Sequence, residues 1–474
     1  MSRALALLPE AALVLTGLLI FAGLMAAAPE SRQARARTAA RLGSVLLVAA
    51  CAVSLNGVAE IFWLTYRVDT FSQLVKLAVA VGFLVAVFIV RDGAGQRDDA
   101  RGEIFFFLLT STAGLMVMSS AVEAVALYLA LEIASFSLFV LVPLRERFAA
   151  GQEAGLKFIV VGLGASVVTL YGLSLLIGLT GTTRLQEMAV QLPAFAGDPT
   201  ALFGLGLFVA GFLFKLALFP FHFWAPDVYE GASNGVASFV ATASKVAAVA
   251  VLARLLALME LSGGLLVGAL ALAAAVSMTL GNLVAIVQRD LKRLLAYSAV
   301  AQAGYIAVGF VALSQDGLAA ALFYGLLYLV MNAAAFLVVA RVAADGSNPS
   351  LDDLHGLHQR SPLLAATLLL AVFALAGVPP TSGFIGKWFL FRAAMAQGWF
   401  WLVLLAAINS TVSVYYYLVV VKHAYLLPAE RETPLPLTAG DKALCYALSA
   451  ATLVLGFYPT PVYEWARTAV GMLP

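Results

Sequence analysis

The sequence predicts an all-α membrane protein of about fourteen transmembrane helices, with two inverted five-helix repeats (helices 4–8 and 9–13) and broken helices 7 and 12. Three observations carry this expectation. Hydrophobic residues make up 62% of the chain and charged residues 11%, too little polarity to coat a soluble globule of this size. Apolar runs of about 20 residues recur along the whole length, each able to cross a hydrocarbon core of roughly 30 Å. The basic residues of the connecting loops fall mostly on one side of those runs, 17 against 5.

Taken in order, the spans are 5–28, 42–66, 71–90, 104–120, 122–142, 154–179, 202–225, 232–258, 264–287, 293–313, 317–341, 361–392, 398–421 and 441–460. Runs this long satisfy their own backbone hydrogen bonds in lipid as helices. The first carries Pro9 and Glu10 and has neither a basic leader nor a small-residue cleavage site, so it reads as a span rather than a signal peptide. Spans four to eight and nine to thirteen form two sets of five. In each set a gap of about 20 residues, at 180–201 and 342–360, separates the third and fourth members. The fourth members are interrupted by proline and glycine and carry a lysine, in Phe214-Lys215-Leu216-Ala217-Leu218-Phe219-Pro220 and in Gly377-Val378-Pro379-Pro380-Thr381-Ser382-Gly383-Phe384-Ile385-Gly386-Lys387. Five is odd, so the second set enters the membrane from the opposite side, the inverted arrangement that secondary transporters combine with broken helices and a midplane site. The chain accordingly divides into an N-terminal three-helix segment (1–103), a first repeat (104–258), a second (259–421) and helix 14 (422–474).

With fourteen spans, one side collects Arg32, Arg35, Arg37, Arg41, Arg91, Arg97, Arg101, Arg145, Arg147, Arg289, Lys292, Arg293, Arg341, Arg360, Lys422, Arg431 and Lys442. The other holds only Arg3, Arg67, Arg184, Arg392 and Arg467. The positive-inside rule places the larger group in the cytoplasm and both termini outside. The formal net charge of +2 and the lack of a basic tail give no nucleic-acid signal. Cys51 and Cys445 sit in separate apolar spans as small core residues. His355 and His358 form an H-x-x-H after span eleven, but without cysteines or a third ligand nearby no metal is expected there. No P-loop, dinucleotide fingerprint or cysteine cluster is present, so no cofactor is expected in this chain.

The chemistry lies in the lysines. Of 8 lysines, 5 fall inside apolar segments (Lys76, Lys157, Lys215, Lys245 and Lys387), whereas of 20 arginines only Arg254 clearly does. Arginine stays charged in any protein environment, while a desolvated lysine can lose its proton. A bilayer protein that keeps the titratable cation and excludes the other is suited to moving protons. Each buried charge costs roughly 2.5–3.5 kcal/mol at a helix centre, so these groups face the bundle or water. Glu132 shares a helix face with Tyr128 and Ser135, and Lys245 with Ser238 and Thr242. Ser298, Gln302 and Tyr305 form a further polar stripe, as do Tyr324, Tyr328 and Asn332, and Asn409 and Ser413. Such stripes serve either as helix–helix glue or as the lining of a hydrated path. Lys157 lies one turn inside its span and can snorkel to the surface, and Lys76 near the outer end of span three reads as a snorkeller. Arg254 reads as an anchor or fixed countercharge. Glu10 and Glu123, near span ends, need no function.

The run Phe219-Pro220-Phe221-His222-Phe223-Trp224-Ala225-Pro226-Asp227-Val228-Tyr229-Glu230-Gly231 resembles the antiporter-like membrane-arm subunits of NADH–quinone oxidoreductase (respiratory complex I), specifically the subunit N type. Asp290 through Ser298, Ala376 through Lys387 and Glu153-Ala154-Gly155-Leu156-Lys157-Phe158 fit the same family, in order, over nearly the whole chain. The sibling subunits and the multisubunit sodium/proton antiporters usually differ after the tryptophan. The chain also stops just after span fourteen, where the largest sibling continues into a long lateral helix.

The resemblance implies a proton-translocating subunit of a redox-driven complex in a bacterial cytoplasmic (inner) membrane. NADH, flavin, iron–sulfur clusters and quinone are then expected in partner subunits, and other membrane-arm subunits of such an assembly as its neighbours. It also implies that Glu132, Lys215, Lys245 and Lys387 form a chain of proton-loadable groups, with Lys157, Gln302, Tyr305 and His222 in support. Two departures stand out. Many members carry a histidine where this chain has Gln302, which cannot be protonated, so water or Tyr305 must bridge Lys245 and Lys387. Ala232-Ser233-Asn234-Gly235 replaces the family's usual Ala-Pro-Thr-Pro, leaving Ser233 or Asn234 to cap helix eight. The alternative functions are a subunit of a multisubunit cation/proton antiporter and of a related hydrogenase- or F420-linked membrane complex.

Overall fold

A computed structural model describes residues 3–25, 29–61, 65–90, 101–145, 149–258, 264–343, 345–429 and 433–473. Arg91, Arg97, Arg147 and Arg431 of the basic loops, and parts of the first two predicted spans, lie outside the described residues.

The principal helices are α1 (Leu8–Leu24), α2 (Pro29–Val53), α3 (Thr70–Ile89), α4 (Arg101–Ser120), α5 (Ala124–Leu141), α6 (Ala149–Thr180) and α7 (Pro199–Leu216). They continue as α8 (Trp224–Gly231), α9 (Asn234–Ala241), α10 (Ala243–Leu258), α11 (Gly264–Ile286), α12 (Leu291–Val311) and α13 (Gln315–Val342). The last five are α14 (Pro362–Ala376), α15 (Ser382–Ala396), α16 (Phe400–Tyr425), α17 (Ala439–Phe457) and α18 (Thr460–Gly471). Among the described residues 11 helices are long and apolar enough to cross a membrane, or 12 if the bent pair α17–α18 counts as one span. α1 and α14, at 17 and 15 residues, are shorter apolar helices.

Large apolar side chains such as Leu129, Phe136, Val160, Leu272, Trp401 and Ile408 stand exposed, as lipid-facing groups do, while α12 and α13 are buried almost throughout. With no hydrophobic drive between helices in lipid, close approach falls to small residues. Gly82 of α3 meets Ala243 of α10, Gly114 of α4 meets Ala134 of α5, and Gly281 of α11 meets Ala301 of α12.

Four features depart from the predicted spans. The second helix ends at Val53, where Ser54-Leu55-Asn56-Gly57 turns the chain into an antiparallel strand pair, β1 (Ala59–Ile61) and β2 (Tyr66–Val68), so the protein is not wholly α. The β-branched and aromatic residues there suit a pleated edge better than a helix end. Predicted span eight is two helices, because Thr242 leaves helical geometry (φ −116°, ψ −83°). Ser233 stands at the N-cap of α9, but its hydroxyl makes no capping bond. Beyond span fourteen the chain turns by 80° into α18.

The predicted breaks are present and alike. α7 ends with Ala217 at φ 60° and α14 with Gly377 at φ 85°, both left-handed. In each, the next amide reaches back five residues, Leu218 N to Leu213 O at 3.0 Å and Val378 N to Phe373 O at 2.9 Å. A cis proline peptide follows in each, Phe219–Pro220 and Pro379–Pro380. Proline has no N–H to continue a helical ladder, so both helices must stop and leave their last carbonyls to other donors.

Candidate functional site: lysines at the broken helix ends

On α5, Glu132 and Ser135 lie three residues apart on one face. The Ser166 hydroxyl of α6 donates to the Glu132 carboxylate, and the Tyr128 hydroxyl lies 3.5 Å from Ser166. Ser135 donates to the Leu131 carbonyl at 2.7 Å and accepts from Lys215 Nζ at 3.0 Å. Glu132 and Lys215 thus stand side by side on two hydroxyls without a direct ion pair. Glu132 and the Ser135 that holds Lys215 border one small cleft, with Ser166, Gly211 and Phe214 on its walls. Lys215 is 4% exposed, whereas Glu132 is only partly buried.

Two of the three central lysines serve the carbonyls left open by the helix breaks. Lys245 Nζ of α10 donates to Leu216 O, the last residue of α7, at 2.8 Å. Lys387 Nζ of α15 donates to Leu375 O and Ala376 O, the last residues of α14, at 3.3 and 3.0 Å, and to Ser410 Oγ of α16 at 2.9 Å. Helix C-termini carry partial negative charge, so a lysine there finds a partner without a carboxylate. The two breaks are satisfied from different helices. Lys245 plays at Leu216 the part that Ser410, 3.2 Å from Ala376 O, shares with Lys387.

Gln302 meets Lys387 on one atom. Its Nε2 donates to Leu375 O at 2.8 Å, the same carbonyl that Lys387 uses, and its Oε1 accepts from Tyr324 at 2.6 Å. Tyr305 lays its ring 4.3 Å from Lys387 Nζ and accepts at its hydroxyl from Asn282 at 3.2 Å. Asn282 also accepts from Tyr416 at 3.0 Å, and Ser298 pairs with Tyr417 at 2.5 Å. Around Lys387 there is therefore a continuous polar cluster drawn from α11, α12, α13 and α16. On α13 the polar stripe continues from Tyr324 to Tyr328 and Asn332, and Tyr229 of α8 lies beside Tyr328. Among the described residues, Ser238 Oγ and both amide atoms of Asn332 are buried with no partner in hydrogen-bond geometry.

The remaining expected residues sit elsewhere. Lys157 is half exposed and bridges Glu153 and Asp227, each at 2.8 Å, while Arg293 holds Asp227 at 3.1 Å and Glu230 at 2.6 Å. It belongs to a surface charge cluster, away from Lys215. His222 lies in the α7–α8 break beside the rings of Phe219 and Phe223, with Nδ1 buried and, among the described residues, without a hydrogen-bond partner. Trp224 closes the same break by donating to Phe214 O at 2.9 Å. Arg145 and the wholly buried Lys292 both bond the carbonyls of Glu230 and Ala232 and the side chain of Asn348, clamping the joint between α8 and α9.

Two sequence expectations are corrected. Lys76 does not snorkel: it is 0% exposed, 2.6 Å from Glu10 and 5.1 Å from the Tyr66 ring. Glu10, which also accepts from Tyr66 at 2.6 Å, is its counterion rather than an idle end residue. The tertiary contact that brings Glu10 of α1 to Lys76 of α3 is what the linear sequence conceals. Arg254, read as an anchor or countercharge, pairs with Asp69 at 3.3 Å, and Glu123 caps α5 through Ala126 N at 2.6 Å. Sequence reasoning missed Ser166, Asn282, Ser410, Tyr416 and Tyr417. They are polar residues inside apolar spans, but single hydroxyls and amides there are too common to single out without knowing their neighbours.

A family model described as NADH:quinone oxidoreductase/Mrp antiporter, transmembrane, matches residues 121–413. NADH-quinone oxidoreductase subunit N 2 of Syntrophobacter fumaroxidans is 45% identical over 440 residues, covering 93% of each chain. The protein of that name from Solidesulfovibrio magneticus is 46% identical over 431 residues, covering 90% of this chain and 91% of its own. A chain in the structure of respiratory complex I from Thermus thermophilus superposes with a TM-score of 0.82 at 32% identity, over 96% of this chain and 98% of that one. A chain of the Mrp complex from Dietzia sp. gives 0.85 at 22% identity, over 100% and 98%, a likeness of fold alone.

Proposed function

The chain belongs to the NADH:quinone oxidoreductase/Mrp antiporter family of membrane subunits, and we propose that it carries protons for a complex I-like assembly along Glu132, Lys215, Lys245, Gln302 and Lys387. The translocating role follows from the family. The assignment to these residues rests on one observation: three buried lysines sit at the two helix breaks and are held by hydroxyls and backbone carbonyls instead of carboxylates.

A lysine held by neutral acceptors can give up its proton without leaving a buried anion behind. Glu132 stands beside Lys215 across Ser135 and Ser166, so a change of charge at Glu132 alters the balance at Lys215 without a shared ion pair to break. The terminal carbonyls of α7 and α14 attract the loaded form, and the interrupted backbone beyond them gives water access at depth. Gln302 does not titrate in this reading. It orders the acceptor Leu375 O and, with Tyr324, the polar groups beside it.

The fourteen-span topology counts α1, the α14–α15 pair and the bent α17–α18 pair beside the 11 helices that qualify singly. The inverted repeat is supported by the matching bonds at the two breaks, and with it the division at 103, 258 and 421. We place the basic loops in the bacterial cytoplasm and both termini outside. The catalysis of NADH oxidation and quinone reduction, with its flavin, iron–sulfur and quinone groups, falls to partner subunits, and this chain's share is the coupled proton movement. Pumping in reconstituted vesicles tests the assignment. Lys215→Ala and Glu132→Ala should depress redox-driven proton uptake while the complex still assembles. Lys215→Arg should fail too, because guanidinium keeps its charge. Wild-type pumping by Lys215→Arg would remove Lys215 from the path.

A further inference from the structure

The His355-x-x-His358 pair of the sequence is not a pair in space. His358 turns its Nδ1 to Ala424 O at 3.2 Å and stacks on Tyr425. His355 instead meets His423, 68 residues further along at the end of α16, with 3.0 Å between Nε2 and Nδ1. Asp352 Oδ1 lies 3.5 Å from the first ring nitrogen and 3.6 Å from the second. We propose that Asp352, His355 and His423 form a binding site for a divalent transition-metal ion of the zinc class.

The triangle of donor atoms carries the proposal. With sides of 3.0, 3.5 and 3.6 Å, it leaves a point about 2 Å from all three corners, which is the bond length zinc makes to imidazole nitrogen and carboxylate oxygen. An ion there lies slightly out of the plane of its three ligands and keeps a fourth position open toward solvent. Two imidazoles and one carboxylate select zinc, cobalt, nickel or copper over magnesium or calcium, which prefer oxygen alone. Access is direct, since the histidine side chains are 15% and 17% exposed and Asp352 is 62% exposed.

The donors are also held in place. The backbone of Leu351, next to Asp352, lies against the His423 ring. Gly356, in left-handed geometry directly after His355, bonds Leu427 O at 3.1 Å. Arg360 reaches Asp353 O at 3.2 Å. The bound ion would staple the segment entering α14 to the end of α16, and α16 is the helix whose Ser410 holds Lys387.

The test uses the full chain with its copurifying partners in mild detergent, after chelator treatment, and Zn²⁺ alone as the probe. Wild type should retain one zinc per chain more than His423→Ala and His355→Ala, and zinc should raise its melting midpoint but not theirs. Asp352→Asn should weaken zinc at least about tenfold, while His358→Ala should match wild type. Co²⁺ should give wild type intense tetrahedral d–d bands that both histidine variants lack. If those variants are poorly folded, His423→Gln, which keeps bulk and polarity, must still lose the bands. Equal zinc content in wild type and the histidine variants, or loss of zinc only in His358→Ala, would show a plain His–His–Asp hydrogen-bonded strut and overturn the site.

Discussion

At Ala217 a non-glycine residue holds a left-handed backbone, while the matching position of the second break is Gly377. The left-handed well costs an alanine roughly 1–2 kcal/mol, so Ala217→Gly should leave the break intact and raise the melting midpoint slightly, with pumping unchanged. Gly377→Ala is a different matter. A Cβ there would stand 3.1 Å from Lys387 Cδ and 3.4 Å from its Nζ. The side chain would be pushed off Leu375 O and Ala376 O, and pumping should fall several-fold with the complex still assembled. If Gly377→Ala pumps normally, the contact between Lys387 and the α14 terminus has no part in transport. The same scale explains why Lys76 was misread. Its position near a span end suggests a side chain reaching for water, but the pairing with Glu10 is made across 66 residues of sequence. Removing Glu10 would strand a buried cation, an error that typically costs about 3–5 kcal/mol, so Glu10→Ala should impair assembly well before it affects transport.

Helix α12 carries the question left by Gln302. Its amide shares Leu375 O with Lys387, so it is placed to hand polarity from α13 to α15. Gln302→His should be tolerated, because an imidazole can occupy the same donor position and also bear a proton. Gln302→Leu leaves Leu375 O and the Tyr324 hydroxyl each short of a partner, and pumping per electron should drop. A merely structural glutamine would instead give a less stable complex with an unchanged ratio, which vesicle measurements of protons per electron separate from stability. Elements of this kind show what the sequence discloses. Apolar length located α11, α12 and α13 within two residues of their ends, and proline and glycine located both breaks. The kink at Thr242, the β1–β2 pair and the turn into α18 have no such marks, because each depends on what packs against it. The lysines were legible from their placement in apolar runs. Their partners were not, since a carbonyl at a helix end has no letter of its own and Ser166 and Ser410 look like any other hydroxyl.

Across the whole molecule the two breaks are connected through α13, which is buried along nearly all of its 28 residues and packs against α10, α12, α14 and α15. Its polar stripe runs from Tyr324, bonded to Gln302, through Tyr328 to Asn332. Asn332 is 1% exposed, and among the described residues neither of its amide atoms reaches a partner within hydrogen-bond geometry, although the Tyr328 hydroxyl lies near it. An unsatisfied buried amide costs about 1–3 kcal/mol, so a side chain kept for packing alone would be better as leucine. Either water satisfies it and forms the link between Lys245 and Lys387, or it is a defect. Asn332→Leu distinguishes these. On the relay reading it should raise the melting midpoint of the complex, since the polar cost is removed, and still lower proton pumping, since the hydrated connection between the halves is interrupted. Stability and transport would move in opposite directions, an outcome that misfolding cannot imitate. A more stable Asn332→Leu complex with a full proton ratio would mean that each half works alone and that no protons pass along α13.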